Sequence, residues 1–381
     1  MRRPLDGLLV VSLEQAVAAP YCSSRLADAG ARVIKIERPG TGDIGRHLYI
    51  SNLSLDGDST LFHSINRNKQ SYAADLKRPE DLAKVRSLVA RADVLIQNFR
   101  PGVMERIGLG PEQCADLNPR LVYGAVTGYG RTGPWAAKPG QDLLAQSISG
   151  LPYLNGDAGQ PPLPFGLAVA DLTASAHLVQ GILALLVRRG VTGRGGVVDV
   201  SLLESALDLQ FEVTSTFLND GGQEPRRSAV NNGHAYLGAP YGIYATADGH
   251  LALAMGSVPQ LGELLKLPAL GAYADPQSWF VRRDEIKRLL AEHLKSRPTS
   301  HWLSRLEPAD YWCAEVLSWP KLWKTEAFRA LDFVQEVTRE DGPTLRTTRC
   351  PITVDGQHLK SSRGAPRVGQ HTAAIQAEFD L

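Results

Sequence analysis

Over the first two hundred residues, short and almost continuous apolar runs alternate with longer amphipathic stretches. Residues 8–13 are apolar apart from Ser12, an Ala-rich segment follows over 20–29, Gly30 closes it, and residues 31–37 form a second apolar run. That period change predicts strand, helix, strand, one crossover of a parallel sheet. The pattern returns twice. Pro79 opens a helix that reaches Arg91, ahead of a strand over 93–97; a shorter helix over 111–117 leads into a strand over 121–126. Proline at a first helical turn is tolerated because that N–H has no intrahelical partner. Glycine and proline then dominate 128–134 and 150–166, which read as long loops of the kind that wall sites in α/β enzymes. From Asp171 a strongly apolar run extends to Leu186 and ends in Arg188-Arg189-Gly190, acid first, base last and glycine after, as a complete helix requires. A turn over 192–196, a strand over 197–200 and a helix over 202–218 complete this half.

Polar residues 219–232 mark a change of character and a predicted domain boundary. Beyond it, 241–246 and 250–255 flank Ala247-Asp248-Gly249 as a hairpin. Helices are predicted over 260–265, 283–294 and 302–306, and strand character returns near 356–359. The expected fold class is α/β, an open parallel sheet with ligands outside the carboxyl ends of its strands.

Composition narrows the function. Hydrophobic residues make up 43% and charged residues 21% of 381, as in ordinary globular chains. Forty-one basic against 40 acidic residues leave +1, so no global charge recruits nucleic acid or a membrane surface. No predominantly apolar uncharged run reaches the roughly 20 residues that span a bilayer, and residues 8–13 are too short for a signal-peptide core. Cys22, Cys114, Cys313 and Cys350 lack metal-ligand spacing, which fits reduced thiols in a cytoplasmic protein. No metal site is expected.

The familiar catalytic motifs are missing: no P-loop, HExxH or GxSxG, and the glycines of 40–45 follow the second strand without a receiving helix. Polar groups at strand ends remain. Arg38 reads as a phosphate ligand or an exposed strand-end arginine. Asn98, Phe99 and Arg100 crowd another strand end, as a nucleotide site or a plain loop. Asp171 reads as a helix cap, or as a nucleophile kept ionised by backbone N–H groups, and Asp142 carries the same ambiguity.

Taken in order, several segments resemble the class III coenzyme A transferases, the family that includes formyl-CoA:oxalate transferases, carnitine CoA transferases and α-methylacyl-CoA racemases. They are Ala19-Pro20; Val33-Ile34-Lys35-Ile36-Glu37-Arg38-Pro39-Gly40 with Gly42-Asp43; Asn66-Arg67-Asn68-Lys69; Asn98-Phe99-Arg100-Pro101-Gly102; Gly128-Tyr129-Gly130 with Gly133-Pro134; Ala170-Asp171; and Thr192-Gly193-Arg194-Gly195. The resemblance implies a cytoplasmic, interlocked homodimer with a Rossmann-like large domain from residues 1–218 and 330–381 and a smaller α+β central domain over 219–329. It implies Asp171 as the nucleophile that moves CoA from an acyl-CoA to a free carboxylic acid through aspartyl anhydride and aspartyl-CoA thioester intermediates. Coenzyme A enters as substrate, with no permanently bound cofactor. Arg38, Lys69 and Lys138 would face its phosphates, and Gln15, Ala19, Asn98, Phe99 and Arg106 would line its adenine and pantetheine path. Gly221, Gly222 and Gly233 would supply a cover that excludes water.

The racemase branch of the resemblance needs an acid–base pair. Its histidine position, directly ahead of Asp142, holds Gln141, and a supporting glutamate position holds Val258. Both departures favour transfer over racemisation; a CoA-binding protein without turnover is the third reading. A C4 to C5 dicarboxylate is one acceptor class, and Arg46, His47, Arg226 and Arg227 are candidates to hold its second carboxylate.

Overall fold

The computed structural model describes residues 3–381. Two compact units divide the chain. The first takes the residues up to Ala145, Ala168–Leu209 and Ala330–Leu381; the second takes Gln146–Leu167 and Gln210–Arg329.

In the first unit, six strands form one parallel sheet: β1 (Leu9–Leu13), β2 (Arg32–Glu37), β3 (Lys69–Ala73), β4 (Val94–Gln97), β5 (Val122–Thr127) and β6 (Gly196–Ser201), in the order β3-β2-β1-β4-β5-β6. Helix α1 (Ala18–Asp28) joins β1 to β2, α2 (Pro79–Arg91) leads into β4, α3 (Pro111–Leu117) into β5, and α5 (Val169–Thr192) into β6; α4 (Asp142–Ser149) precedes α5 and α6 (Leu202–Asp208) follows β6. Alternate strand residues supply the two faces. Val10, Val33, Ile96 and Val122 pack with α1 and α5 in one core, while Val11, Ile34, Leu95 and Tyr123 pack with α2 and α3 in the other. Burial on both faces explains why these strands read as continuous apolar runs.

Strand β3 escaped the hydrophobic pattern because Lys69 and Ser71, both fully buried, interrupt it. Their environment is ionic. Glu14 just after β1, Lys35 within β2, Asp43 beyond β2 and Lys69 at the start of β3 are each 0–1% exposed. Lys69 Nζ donates to Glu14 Oε1 at 2.8 Å, the Pro20 carbonyl at 2.9 Å and Asn66 Oδ1 at 2.9 Å, while Lys35 Nζ lies 2.7 Å from Asp43 Oδ2. Beside them Arg46 grips Glu37 with two nitrogens, at 2.9 and 2.7 Å, and reaches Asp58 at 2.8 Å.

Helix α5 begins at Val169 rather than at Asp171, with Ala168 at its cap position making no side-chain capping bond. Ala170, Ala174, Leu178 and Ile182 form a buried stripe at four-residue spacing. Gly124 of β5 lets it close: an added Cβ would meet Leu178 and Ile182 methyls at 3.1 and 3.2 Å. This helix is long and apolar enough to cross a membrane by length and composition, and it spends that stripe on the core around α1 and the sheet.

The expected helix over 202–218 is two helices, α6 and α7 (Phe211–Asn219), interrupted at Leu209-Gln210, where one unit gives way to the other. The boundary therefore falls earlier than the polar stretch at 219. Residues 146–167, which composition left with the large domain, belong to the second unit. Arg227 accounts for part of this by donating to the carbonyls of Asn155 and Gln160, as does the Asn232 N–H by donating to Asp157 Oδ1 at 2.8 Å. The second unit carries a three-stranded antiparallel sheet, Gly242–Ala245, His250–Leu253 and Cys313–Glu315, the last two strands flanking each other. Tyr244, Leu251, Leu261, Ile286, Leu290 and Trp302 fill its core.

Candidate active site

In the parallel sheet, connections leave β1 toward β2 on one side and reach β4 on the other. The loops after β1 and β4 therefore diverge and leave a crevice at the strand ends. A cleft of about 460 Å³ lies there, lined by Gln15, Ala16, Val17 and Ala18 after β1, by Asn98, Phe99, Arg100 and Pro101 after β4, and by Val126, Thr127 and Gly128 at the end of β5. Ile44, Leu48, Ala136, Lys138, Gly140, Gln141, Asp171 and Leu202 complete its wall. The volume suits a substantial organic ligand.

The two loops at the switch point are tied to each other. The Gln15 N–H donates to Asn98 Oδ1 at 2.9 Å, and Asn98 Nδ2 returns a bond to the Gln15 carbonyl at 2.8 Å. Gln15 Oε1 accepts from the Ile44 N–H at 2.9 Å, which fixes a third loop. Across the cleft, Gly128 and Gly140 pass backbone to backbone: a Cβ on either would fall 2.6 Å from the other's Cα. That contact, rather than positive φ, is why the loops need glycine here. Lys138 Nζ stands 5.3 Å from the Trp135 ring centre, within cation–π range.

Asp171 occupies the first turn of α5, facing the cleft. The capping role that sequence offered it is performed by another residue. Asp142, 6% exposed, accepts from the Ala170 N–H at 2.8 Å and the Asp171 N–H at 3.2 Å through one oxygen, Oδ1. With the helix N–H groups taken up by Asp142, the Asp171 carboxyl is pushed up to about 7, first by burial and then by the negative charge of Asp142. Sequence reasoning predicted a carboxylate held ionised; the tertiary arrangement makes it basic instead.

The other expected residues separate into groups. Gln15, Asn98, Phe99, Lys138 and Gln141 line the cleft. Arg38 and Arg106 are exposed outside its lining. Ala19, in the first turn of α1, is 0% exposed in the core, so its side chain lines no ligand path. Lys69 is corrected outright as a phosphate ligand: it is wholly buried, and its three donor directions go to Glu14, Pro20 and Asn66. Arg46 is likewise spent on Glu37 and Asp58, and Arg227 on backbone carbonyls. Gly221 and Gly222 form a left-handed turn after α7, with φ of +83° and +76°, and Gly233 packs beneath the Tyr241 ring; all three belong to the second unit. Arg100, read from sequence as part of a nucleotide site or a plain loop, also lines the cleft, as do Ile44 and Leu48, which were not singled out from sequence.

A parallel sheet ordered 3-2-1-4-5-6, with a cleft at its switch point and a desolvated carboxylate in the wall, places the chain in the doubly wound α/β class, whose ligands sit outside the strand ends. The sequence profile of CoA-transferase family III matches residues 5–372, and the chain belongs to that family. It is 32% identical to a succinate–glutarate CoA-transferase of Agrobacterium fabrum, over 99% of this chain and 96% of that one. Against a succinyl-CoA:mesaconate CoA-transferase of Haloarcula hispanica it is 36% identical over 80% of this chain and 78% of the other. The crystal structure of a CAIB/BAIF family protein from Brucella suis superimposes with a TM-score of 0.84 at 30% identity, covering 100% of both chains.

Proposed function

We propose that this enzyme moves coenzyme A from succinyl-CoA, or a closely similar acyl-CoA, to a free C4 to C5 dicarboxylate, with Asp171 as the nucleophile. The observation that carries the reading is the Asp171 carboxylate in the wall of the switch-point cleft, desolvated and basic beside Asp142. A carboxylate poorly served by solvent is a strong nucleophile once ionised. The names of the relatives supply the acid class.

In the proposed cycle, an Asp171 oxygen attacks the thioester carbonyl. The C–S bond breaks, CoA leaves as thiolate, and a mixed anhydride remains on the enzyme. The thiolate attacks the aspartyl carbonyl, releasing the donor acid as carboxylate and leaving an aspartyl-CoA thioester. The acceptor carboxylate attacks that thioester, again expelling thiolate, and the second anhydride passes its acyl group to sulfur, restoring Asp171. No net proton is consumed, and each anhydride conserves the activation that water would destroy, so exclusion of water is part of the cycle.

Gln15, Asn98 and Phe99 would hold the adenine and pantetheine path, with Lys138 on phosphate and Arg38 and Arg106 at the outer rim. Arg100 and Lys138 give the cleft positive charge suited to anionic substrates. Racemisation is disfavoured because Gln141 in the cleft wall has no titratable group and Val258 is 0% exposed in the core of the second unit. A cytoplasmic homodimer with interlocked chains is part of the same proposal, supported by the exposed apolar side chains Val187 and Val191 on α5, at 72% and 86%.

A crossed panel of acyl-CoAs and free acids, read by mass spectrometry for new CoA esters, tests the reaction and its substrates together. Succinyl-CoA with glutarate or mesaconate is expected to yield the exchanged thioester, and trapping with hydroxylamine is expected to modify Asp171. Turnover that washes the α-hydrogen of an acyl-CoA into deuterated water, with no acceptor needed, would overturn the transfer reading.

A further inference from the structure

We infer that Asp142 is a positioning residue for the transfer reaction, fixing the Asp171 backbone from the helix N-terminus and lending its negative charge to strengthen the nucleophile. This rests on the proposed role of Asp171 and deepens it.

The geometry gives Asp142 both functions. Its Oδ1 accepts from the N–H groups of Ala170 and Asp171 at 2.8 and 3.2 Å, so the backbone that bears the nucleophile is clamped by a side chain 28 and 29 residues away in sequence. Helix N-terminal N–H groups ordinarily draw carboxylates in their own first turn toward the ionised form. Here those groups face Asp142, which is buried at 6% exposure, and the field that would have quieted Asp171 is answered by a second negative charge. Around Asp171 the other charged side chains of the cleft wall are Arg100, from the loop after β4, and Lys138, from the loop ahead of α4. Residues 15–18 after β1, 126–128 after β5 and Leu202 of α6 bring no ionisable group to that wall. The raised proton affinity of Asp171 names Asp142 as its charged cause after burial, in agreement with this placement.

An apolar residue at 142 would lose both the cap and the charge. An amide would keep the cap and lose the charge, and that difference makes the inference testable. In Asp142→Asn the oxygen acceptor is retained, so the helix start is expected to hold and the melting temperature to change little. The acid limb of kcat/KM for succinyl-CoA with glutarate is expected to move down by about one pH unit or more, the usual size of a close charge effect. Asp142→Ala is expected to lose the cap as well, lowering stability and turnover, and Asp142→Glu to restore part of the wild-type pH profile. A folded Asp142→Asn whose acid limb stays at the wild-type pH overturns the inference while leaving the nucleophile intact. An Asp171→Asn enzyme that turns over normally, with no hydroxylamine adduct at 171 in wild type, overturns the nucleophile assignment itself, so the two failures are distinguishable.

Discussion

Two groups of buried acids, both at the carboxyl end of the same sheet, have opposite electrostatic fates. Beneath β1 to β3, Glu14 is surrounded by Lys35 and Lys69. Burial alone would raise its proton affinity, but the two ammonium groups and the bonds from Lys69 and Ser23 bring it down to about 2. At the head of α5, Asp171 meets burial together with a second carboxylate and rises to about 7. The difference shows how one scaffold sets two acids apart: a buried acid with cations in place is locked in its charged form, and one facing an anion retains its basicity. Lys69 completes the contrast. Full burial outweighs Glu14 and brings it to about 8, the cost of housing two lysines around one shared acid.

The comparison breaks most sharply at Asp171, the proposed nucleophile. Asp171→Asn is expected to lose more than about a thousandfold in kcat, as removal of a covalent nucleophile does, measured with succinyl-CoA and glutarate. The same variant is expected to be more stable at neutral pH. The folded-state value near 7 lies above the ordinary 3.8, so protonation favours the native state, and stability is lost as pH rises from about 4 through 7. At roughly 1.4 kcal/mol for each tenfold change in proton affinity, the ionised carboxylate costs about 4 kcal/mol above pH 7. Urea denaturation at pH 4 and pH 8 checks the sign: the advantage of Asn is expected at pH 8 and absent at pH 4.

On the structural side, Glu14→Gln is expected to cost about 3–5 kcal/mol, because it leaves Lys69 buried without its carboxylate partner while Lys35 keeps Asp43 at 2.7 Å. Chemical denaturation measures it, and a loss under 1 kcal/mol would show that Glu14 does not hold the buried lysine in place. Smaller again, Gly128→Ala is expected to lose about 1–3 kcal/mol by forcing its Cβ into Gly140, with weaker binding of CoA in a titration of the variant. The mildest effect is expected in wild type itself: kcat/KM declines roughly tenfold per pH unit below about 7 as Asp171 takes up its proton, and holds level above.

Much of the sheet was legible along the chain. Five of its strands announced themselves as apolar runs, and helices Pro79–Arg91, Pro111–Leu117 and Arg283–Leu294 begin and end where proline, charge and periodicity placed them. Strand β3 was hidden, since a strand that buries Lys69 and Ser71 has no hydrophobic signature. The same blindness made Lys69 and Arg46 look like ligand-binding cations: sequence records a charge and says nothing of the acid already facing it. Asp171 was identified through the ordered resemblance, yet its cap was misassigned, because Asp142 reaches the helix from nearly thirty residues upstream.

The sequence by itself determined the parallel α/β scaffold, the order of its loops and which carboxylate belongs to the family pattern, since those depend on local periodicity and on residues in a fixed series. Tertiary structure decided which charges are spent and which are available. Pairing and desolvation depend on neighbours brought together across the sheet, and at Asp142 and Asp171 that meeting turns a stretch of helix start into a basic carboxylate at the switch point.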